Sequence, residues 1–154
     1  MSLTKKILLA ILIVLIAIQF IQPTHNKNER VLPTDVTNTY SVPENVETIF
    51  RNACYDCHSN NTHYPWYFNI QPMGWLLAND ISKGKDKLNF SEFRSYSTRM
   101  QRSKLREIEI AMRDGTMPLA AYKLMHKPAR LSKDDKAIIM NWARKTKDSL
   151  TTKK

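Results

Sequence analysis

The chain has 154 residues, 42% of them hydrophobic, and a formal charge of +10. That length suits one domain with a modest core and excludes a large multidomain enzyme. The basic balance favours acidic protein partners or anionic lipid headgroups, and because no nucleic-acid-binding motif accompanies it, no nucleic acid partner is expected.

At the N-terminus Lys5-Lys6 precedes an almost unbroken apolar run from Ile7 to Ile21, interrupted only by Gln19. A basic start before such a run is the pattern of a secretory signal or a signal anchor. The run ends in Gln19-Phe20-Ile21-Gln22-Pro23, without the small residues a signal peptidase needs. A retained anchor over residues 1–22 is therefore preferred to cleavage and a soluble periplasmic product. The run is shorter than the ~20 residues of a comfortable span, so flanking side chains would reach toward the interfaces. Lys5 and Lys6 should stay cytoplasmic, with the rest exported to the periplasmic face. No cysteine near its end suggests a lipoprotein. Residues 23–40 are polar and lack apolar periodicity, which predicts a linker to a domain over 41–150.

Ser41-Val42-Pro43-Glu44 has the form of a capping box. Val46, Ile49, Phe50 and Ala53 follow at helical spacing. This helix leads directly into Cys54-Tyr55-Asp56-Cys57-His58, which holds the only two cysteines of the protein. Two cysteines three apart, with histidine directly after the second, form the attachment pattern of a c-type haem. Each thiol adds across one vinyl group of the porphyrin, and the adjacent imidazole lies under the iron as its proximal ligand. By chance such a match arises in about one chain of this length per thousand. A thioredoxin-like dithiol would need a preceding β-branched run. A zinc site would need a second ligand pair, with His63 a single candidate. A plain disulfide is the remaining alternative. Export agrees with the haem reading, because c-type haem is attached outside the cytoplasm.

The segment Ser59 to Tyr67 is a polar turn followed by aromatics, and it is expected to wrap around the porphyrin. His63 is a candidate ligand there, although a polar loop histidine is more often solvated. A second helix begins at Pro72, runs through Trp75, Leu76, Leu77 and Ile81, and is expected to stop at Gly84. Leu88 to Phe93 connects it to a third helix from about Thr98 to Gly115. Asp114-Gly115-Thr116-Met117-Pro118 then presents a methionine on a constrained loop, which makes Met117 the candidate sixth iron ligand. A neutral thioether favours ferrous iron and raises the reduction potential. Methionine is also a common core filler. His126, within Leu124-Met125-His126-Lys127-Pro128, is the alternative sixth ligand and would give a lower potential. Ser132 to Asp135 caps a final helix whose Ala137, Ile138 and Trp142 can face inward. Lys147, Lys153 and Lys154 fall in what reads as a frayed tail.

This order of elements is similar to that of class I c-type cytochromes, an all-α fold. More closely, Cys54 to Tyr67, Leu88 to Phe93 and Met117 through Leu131-Ser132 resemble the small single-haem "haem-binding domain" family of exported bacterial proteins. The resemblance covers most of residues 41–145. It implies covalent attachment of one haem c at Cys54 and Cys57, proximal ligation by His58, and a Met-Pro position at Met117. The family often carries histidine where Asn79 stands, so this chain departs from the pattern there. The function implied is single-electron transfer with an acidic redox partner at the membrane, rather than catalysis. A haem-based redox or gas sensor and a peroxidase-like enzyme are the alternatives; for the latter the sequence offers no clear distal histidine and arginine.

Overall fold

Apolar spacings of three and four residues become amphipathic helices because each such stripe can be buried against another. In the computed structural model, which describes residues 2–28 and 30–151, these helices are α1 (Leu3–Ile18), α2 (Val36–Thr39), α3 (Glu44–Ala53), α4 (Tyr55–His58), α5 (Met73–Lys87), α6 (Thr98–Asp114), α7 (Ala120–Met125) and α8 (Lys133–Ser149). Short 3-10 turns lie at Trp66–Asn69, Phe90–Ser95 and Lys127–Ala129. The fold is all-α. Among the described residues the only β-type pairing is an isolated bridge between Lys27 and Asn61.

Two hydrophobic clusters form the interior. The larger joins Ile49 and Phe50 of α3, Phe90 and Phe93, Leu105 and Met112 of α6, and Ile139 and Trp142 of α8. Phe50 stacks on Phe90 at 4.8 Å and meets the edge of Trp142 at 5.2 Å. Helices α6 and α8 lie side by side, and Glu109 bridges Arg144 at 2.7 Å and Lys147 at 3.1 Å. Lys147 therefore belongs to a paired helix surface rather than to a frayed end, while Lys153 and Lys154 lie outside the described residues. The smaller cluster joins Tyr67 and Phe68 to Leu77 and Ile81 of α5.

Helix ends follow local chemistry. Ser132 and Asp135 form a reciprocal capping box at the start of α8. Gly115, at φ 67°, takes the left-handed conformation that ends α6. The capping box expected at Ser41 to Glu44 is absent: Pro43 caps α3 with no side-chain bond. The Ser41 carbonyl instead accepts the Trp142 indole N–H at 3.1 Å. The helix starts at Glu44, two residues after the expected start, which leaves Ser41 outside the cap. Gly84 does not end its helix either, since α5 continues to Lys87.

The expected linker, residues 23–40, is a strap laid on the domain. Val36 is fully buried in the larger cluster. Thr34 donates to the Ser91 carbonyl at 2.8 Å, and Asp35 caps α2 by accepting from Thr37 N–H at 2.9 Å. One buried valine among polar residues leaves no periodic signal, so its docking is invisible locally. Helix α1 is capped by Ser2 and buries none of its residues. At 1.5 Å per residue its 16 residues span about 24 Å. No helix among the described residues is long and apolar enough to cross a membrane, so the expected anchor does not take the form of a full-length span.

Two expectations follow. Phe93 is fully buried and touches Tyr40, Phe90 and Tyr96, so Phe93→Ala should lower unfolding stability by about 3–5 kcal/mol in denaturant titration. A loss below 1 kcal/mol would contradict this packing. The Asp135 carboxyl is held below its ordinary range by the Ser132 hydroxyl and backbone N–H. A depressed carboxyl contributes stability above its unfolded value near 4 and loses it as pH falls through the folded value. Asp135→Asn should therefore cost about 0.5–1 kcal/mol at pH 7, a difference that disappears as pH falls through the folded value; a pH-independent difference would show that the carboxylate is not the capping group.

Candidate functional site

Helix α3 ends at Cys54, whose φ of −127° breaks the helical path before the single turn of α4 resumes it. The Cys54 carbonyl accepts from Cys57 N–H at 3.2 Å and His58 N–H at 3.0 Å. A one-turn helix places residues three apart on one side, so both thiols and the following imidazole face the same region. Cys54 packs against the larger hydrophobic cluster and Cys57 against the smaller. The motif thus stands at the junction of the two.

A close backbone approach holds it there. Gly84 of α5 lies against α4 so tightly that a Cβ at that position would collide with the Cys57 carbonyl oxygen and come within 3.1 Å of the Cys57 Cβ. The loop after the motif is tied down as well. Thr62 donates to the Asp56 carbonyl at 2.6 Å, and the Asp56 carboxylate accepts from His63 N–H at 2.9 Å. Asn89 donates to Asn60 at 2.8 Å. The other Asp56 carboxylate oxygen accepts the Tyr122 hydroxyl, which connects α4 to α7 just beyond Met117-Pro118.

A cavity of about 240 Å³ lies between these elements. Cys54, Cys57, His58 and Met117 all line it, together with Phe50, Leu77, Leu88, Phe90, Ile108, Met112 and Ile139. Protein interiors are close-packed and ordinary voids are water-sized. An apolar cavity with a few polar groups converging on it is the form of a small-molecule site.

Burial keeps the Cys54, Cys57 and His58 side chains neutral, while Asp56, Asp80, Lys83 and Lys87 bring charge to the lining. Burial pushes both the Cys54 and the Cys57 thiols up to about 12, so they stay protonated at neutral pH. Both are free, not joined in a disulfide. Burial also lowers His58 below its usual value, favouring neutral imidazole. His58 Nδ1 lies 2.9 Å from the Leu88 carbonyl. A carbonyl only accepts, so Nδ1 carries the proton and the lone pair is on Nε2, the arrangement of an oriented metal-binding histidine. Among the described residues no group of three or more His, Cys, Asp or Glu side chains could hold a metal ion.

These residues fit a haem. Two neutral thiols, an oriented imidazole and a thioether meet in one apolar cavity, and the exposed Lys83 and Lys87 at its border supply positive charge for the carboxylates that a haem carries. His126 does not line this cavity. Its ring stacks on Tyr122 at 3.9 Å, and Nδ1 meets the Tyr122 carbonyl at 3.1 Å. His63 is exposed, and Asn79 lies on α5 outside the lining. The aromatic loop also departs from expectation. Tyr64, Tyr67 and Phe68 form and flank the smaller cluster and Trp66 is exposed, so the loop does not line the cavity.

Sequence reasoning passed over the α5 stripe of Leu77, Asp80, Gly84 and Lys87, and also Tyr122. The stripe has helical spacing, and a glycine inside an otherwise good helix signals close backbone approach. Gly84→Ala should therefore destabilise the protein by about 1–3 kcal/mol and reduce the yield of covalent haem measured by haem staining. Wild-type yield and stability would show that α5 and α4 can separate without consequence.

A family model described as haem-binding domain matches residues 13–145, a span that takes in all the residues placed around the cavity. No curated protein and no solved structure matched the chain. With most of its length matched, the chain belongs to the haem-binding domain family.

Proposed function

We propose that the protein is a monohaem c-type cytochrome that transfers single electrons at the periplasmic face of the cytoplasmic membrane. The observation that carries this reading is the convergence of Cys54, Cys57, His58 and Met117 on one apolar cavity. Cys54 and Cys57 hold the haem through thioether bonds, each formed when a thiol S–H adds across a vinyl double bond with no outside oxidant. Their protonated state favours addition over metal binding or disulfide exchange. His58 is the proximal ligand, oriented by the Leu88 carbonyl. Met117 is the sixth, supported by its place in the lining, whereas His126 lies outside it.

The haem supplies an iron that cycles between ferrous and ferric states. The chain supplies the rest: two permanent iron ligands, water-excluding walls from Phe50, Phe90, Ile108 and Ile139, and cationic Lys83 and Lys87 at the border. A fixed ligand pair in an apolar setting limits rearrangement between oxidation states. The lining holds one histidine and no arginine among the described residues, which favours electron transfer over peroxide cleavage. The excess of basic residues steers an acidic redox partner. The exposed apolar α1, which carries Lys5 and Lys6 near its start, anchors the chain in the membrane.

The test is the visible spectrum of protein co-expressed with haem-attachment machinery in a periplasm. A c-type reduced spectrum is expected, with the near-red charge-transfer band of methionine-ligated ferric iron. Met117→Ala should abolish that band and lower the midpoint potential while leaving haem covalently bound. Persistence of the band would remove Met117 as ligand; open high-spin wild-type iron would favour a sensor or peroxidase, and no covalent haem would overturn the proposal.

A further inference from the structure

The end of α1 is clamped to the domain rather than strung to it. Gln71, itself buried, donates its backbone N–H to Gln19 Oε1 at 2.9 Å and accepts from Gln19 Nε2 at its carbonyl at 3.1 Å. Its side chain donates to Gln22 Oε1 at 2.9 Å. Gln22 in turn donates to the Asn69 carbonyl at 3.2 Å, and the Trp75 indole N–H donates to the Ile21 carbonyl at 2.9 Å. These bonds grip the chain directly after the last helical residue, Ile18. No slack separates the apolar helix from the turn at residues 66–69 and the first turn of α5.

The side chains around this clamp are apolar and exposed. Trp66 is 75% exposed and Leu76 58%. Ile70 and Met73 are exposed as well, and so is Phe20, at 84%, in the clamped segment after α1. Single exposed apolar residues are ordinary, but a contiguous group marks an interaction surface. Its occupant follows from what it adjoins. At about 24 Å, α1 falls short of the ~30 Å hydrocarbon core. A short span is met by local thinning of the bilayer and by snorkelling of flanking residues. A domain clamped to the end of such a helix is drawn onto the bilayer, and the surface it presents carries an exposed tryptophan, the side chain most characteristic of the membrane interface.

We infer that the face formed by Trp66, Ile70, Met73 and Leu76 lies in the lipid interface and completes the short anchor, holding the haem domain in a fixed orientation on the membrane. This rests on the reading of α1 as a membrane anchor. The haem cavity then keeps one attitude to the bilayer, and redox partners reach it by moving in the membrane plane or along its surface, not by capturing a tethered domain that swings freely.

The test uses the haem-loaded full chain in vesicles of phosphatidylethanolamine and phosphatidylglycerol, doped with a phospholipid carrying a diazirine high on its acyl chain. After photolysis, peptide mass spectrometry should find lipid adducts on Trp66 to Leu76 as well as on residues 3–22. The double variant Trp66→Ser/Leu76→Ser should lower adducts on the 66–76 peptide about threefold, with adducts on α1 and the reduced haem spectrum unchanged. Adducts confined to residues 3–22 would overturn this inference and leave the anchor standing. Failure of the chain to float with the vesicles would overturn both. Protein–protein cross-links through residues 66–76 in place of lipid adducts would assign the face to a second copy or another protein, and would also overturn it.

Discussion

The position of the haem motif depends on one contact, the backbone of α5 at Gly84 against the carbonyl of Cys57. A four-residue helix such as α4 has no stability of its own, because a single turn fixes more dihedral angles than its hydrogen bonds repay. It persists here because α5 closes over it with no side chain between the two backbones, and because His58 is bonded across to Leu88 just past the end of α5. The same approach brings Leu77, Asp80 and Lys87 to the cavity border. One hydrogen atom in place of a methyl group thus permits the junction at which the two cysteines meet different hydrophobic clusters.

From that junction the rest of the site is tied together by polar bonds at its edges and apolar contacts at its centre. Asp56 is the middle of the motif and faces away from the thiols in function: its carboxylate secures both the following loop and, through Tyr122, the segment that follows Met117. Burial and this hydrogen bond raise the Tyr122 hydroxyl above its usual value, so it remains a donor across the physiological range. The motif turn and the methionine loop, some sixty residues apart in the chain, are therefore referenced to the same carboxylate. Inside that frame Cys54, Cys57, His58 and Met117 are uncharged and sit among apolar side chains, while the charged lining residues Asp56, Asp80, Lys83 and Lys87 add polar groups to the same cavity.

The strap from residue 23 to residue 40 gives the N-terminal region a structural part in the domain. Asn26 donates to the Ser59 carbonyl and to the Thr62 hydroxyl, each at 2.9 Å, and so braces the loop that leaves the motif. Lys85 of α5 donates to the same asparagine at 2.6 Å. Farther along, Val36 fills the larger cluster beside Phe93. The apolar helix, the strap and the haem motif are therefore connected by direct bonds, so the position of the domain relative to the end of α1 is set by the fold.

Much of this was legible locally. The helical fold class followed from apolar periodicity, the end of α6 from Gly115, the cap of α8 from Ser132 and Asp135, and the haem-binding domain family from the motif at Cys54 to His58 together with the segments Leu88 to Phe93 and Met117 to Ser132. These features are set by neighbours in the chain, and the sequence by itself determined them. What lay beyond it depended on partners distant in sequence. α3 started at Glu44 with Pro43 as its cap, leaving Ser41 free to bond Trp142 through its carbonyl; Val36 turned a linker into a strap; the aromatics after His63 built a second cluster instead of a cavity wall; and Gly84, which reads as a helix stop, became a point of backbone contact. Met117, directly before Pro118, was the candidate sixth ligand, and His126, two residues before Pro128, was the alternative. Only the tertiary structure decided which of them shares a cavity with His58, because a burial environment is made by every element that closes on a residue, and no local spacing encodes that sum.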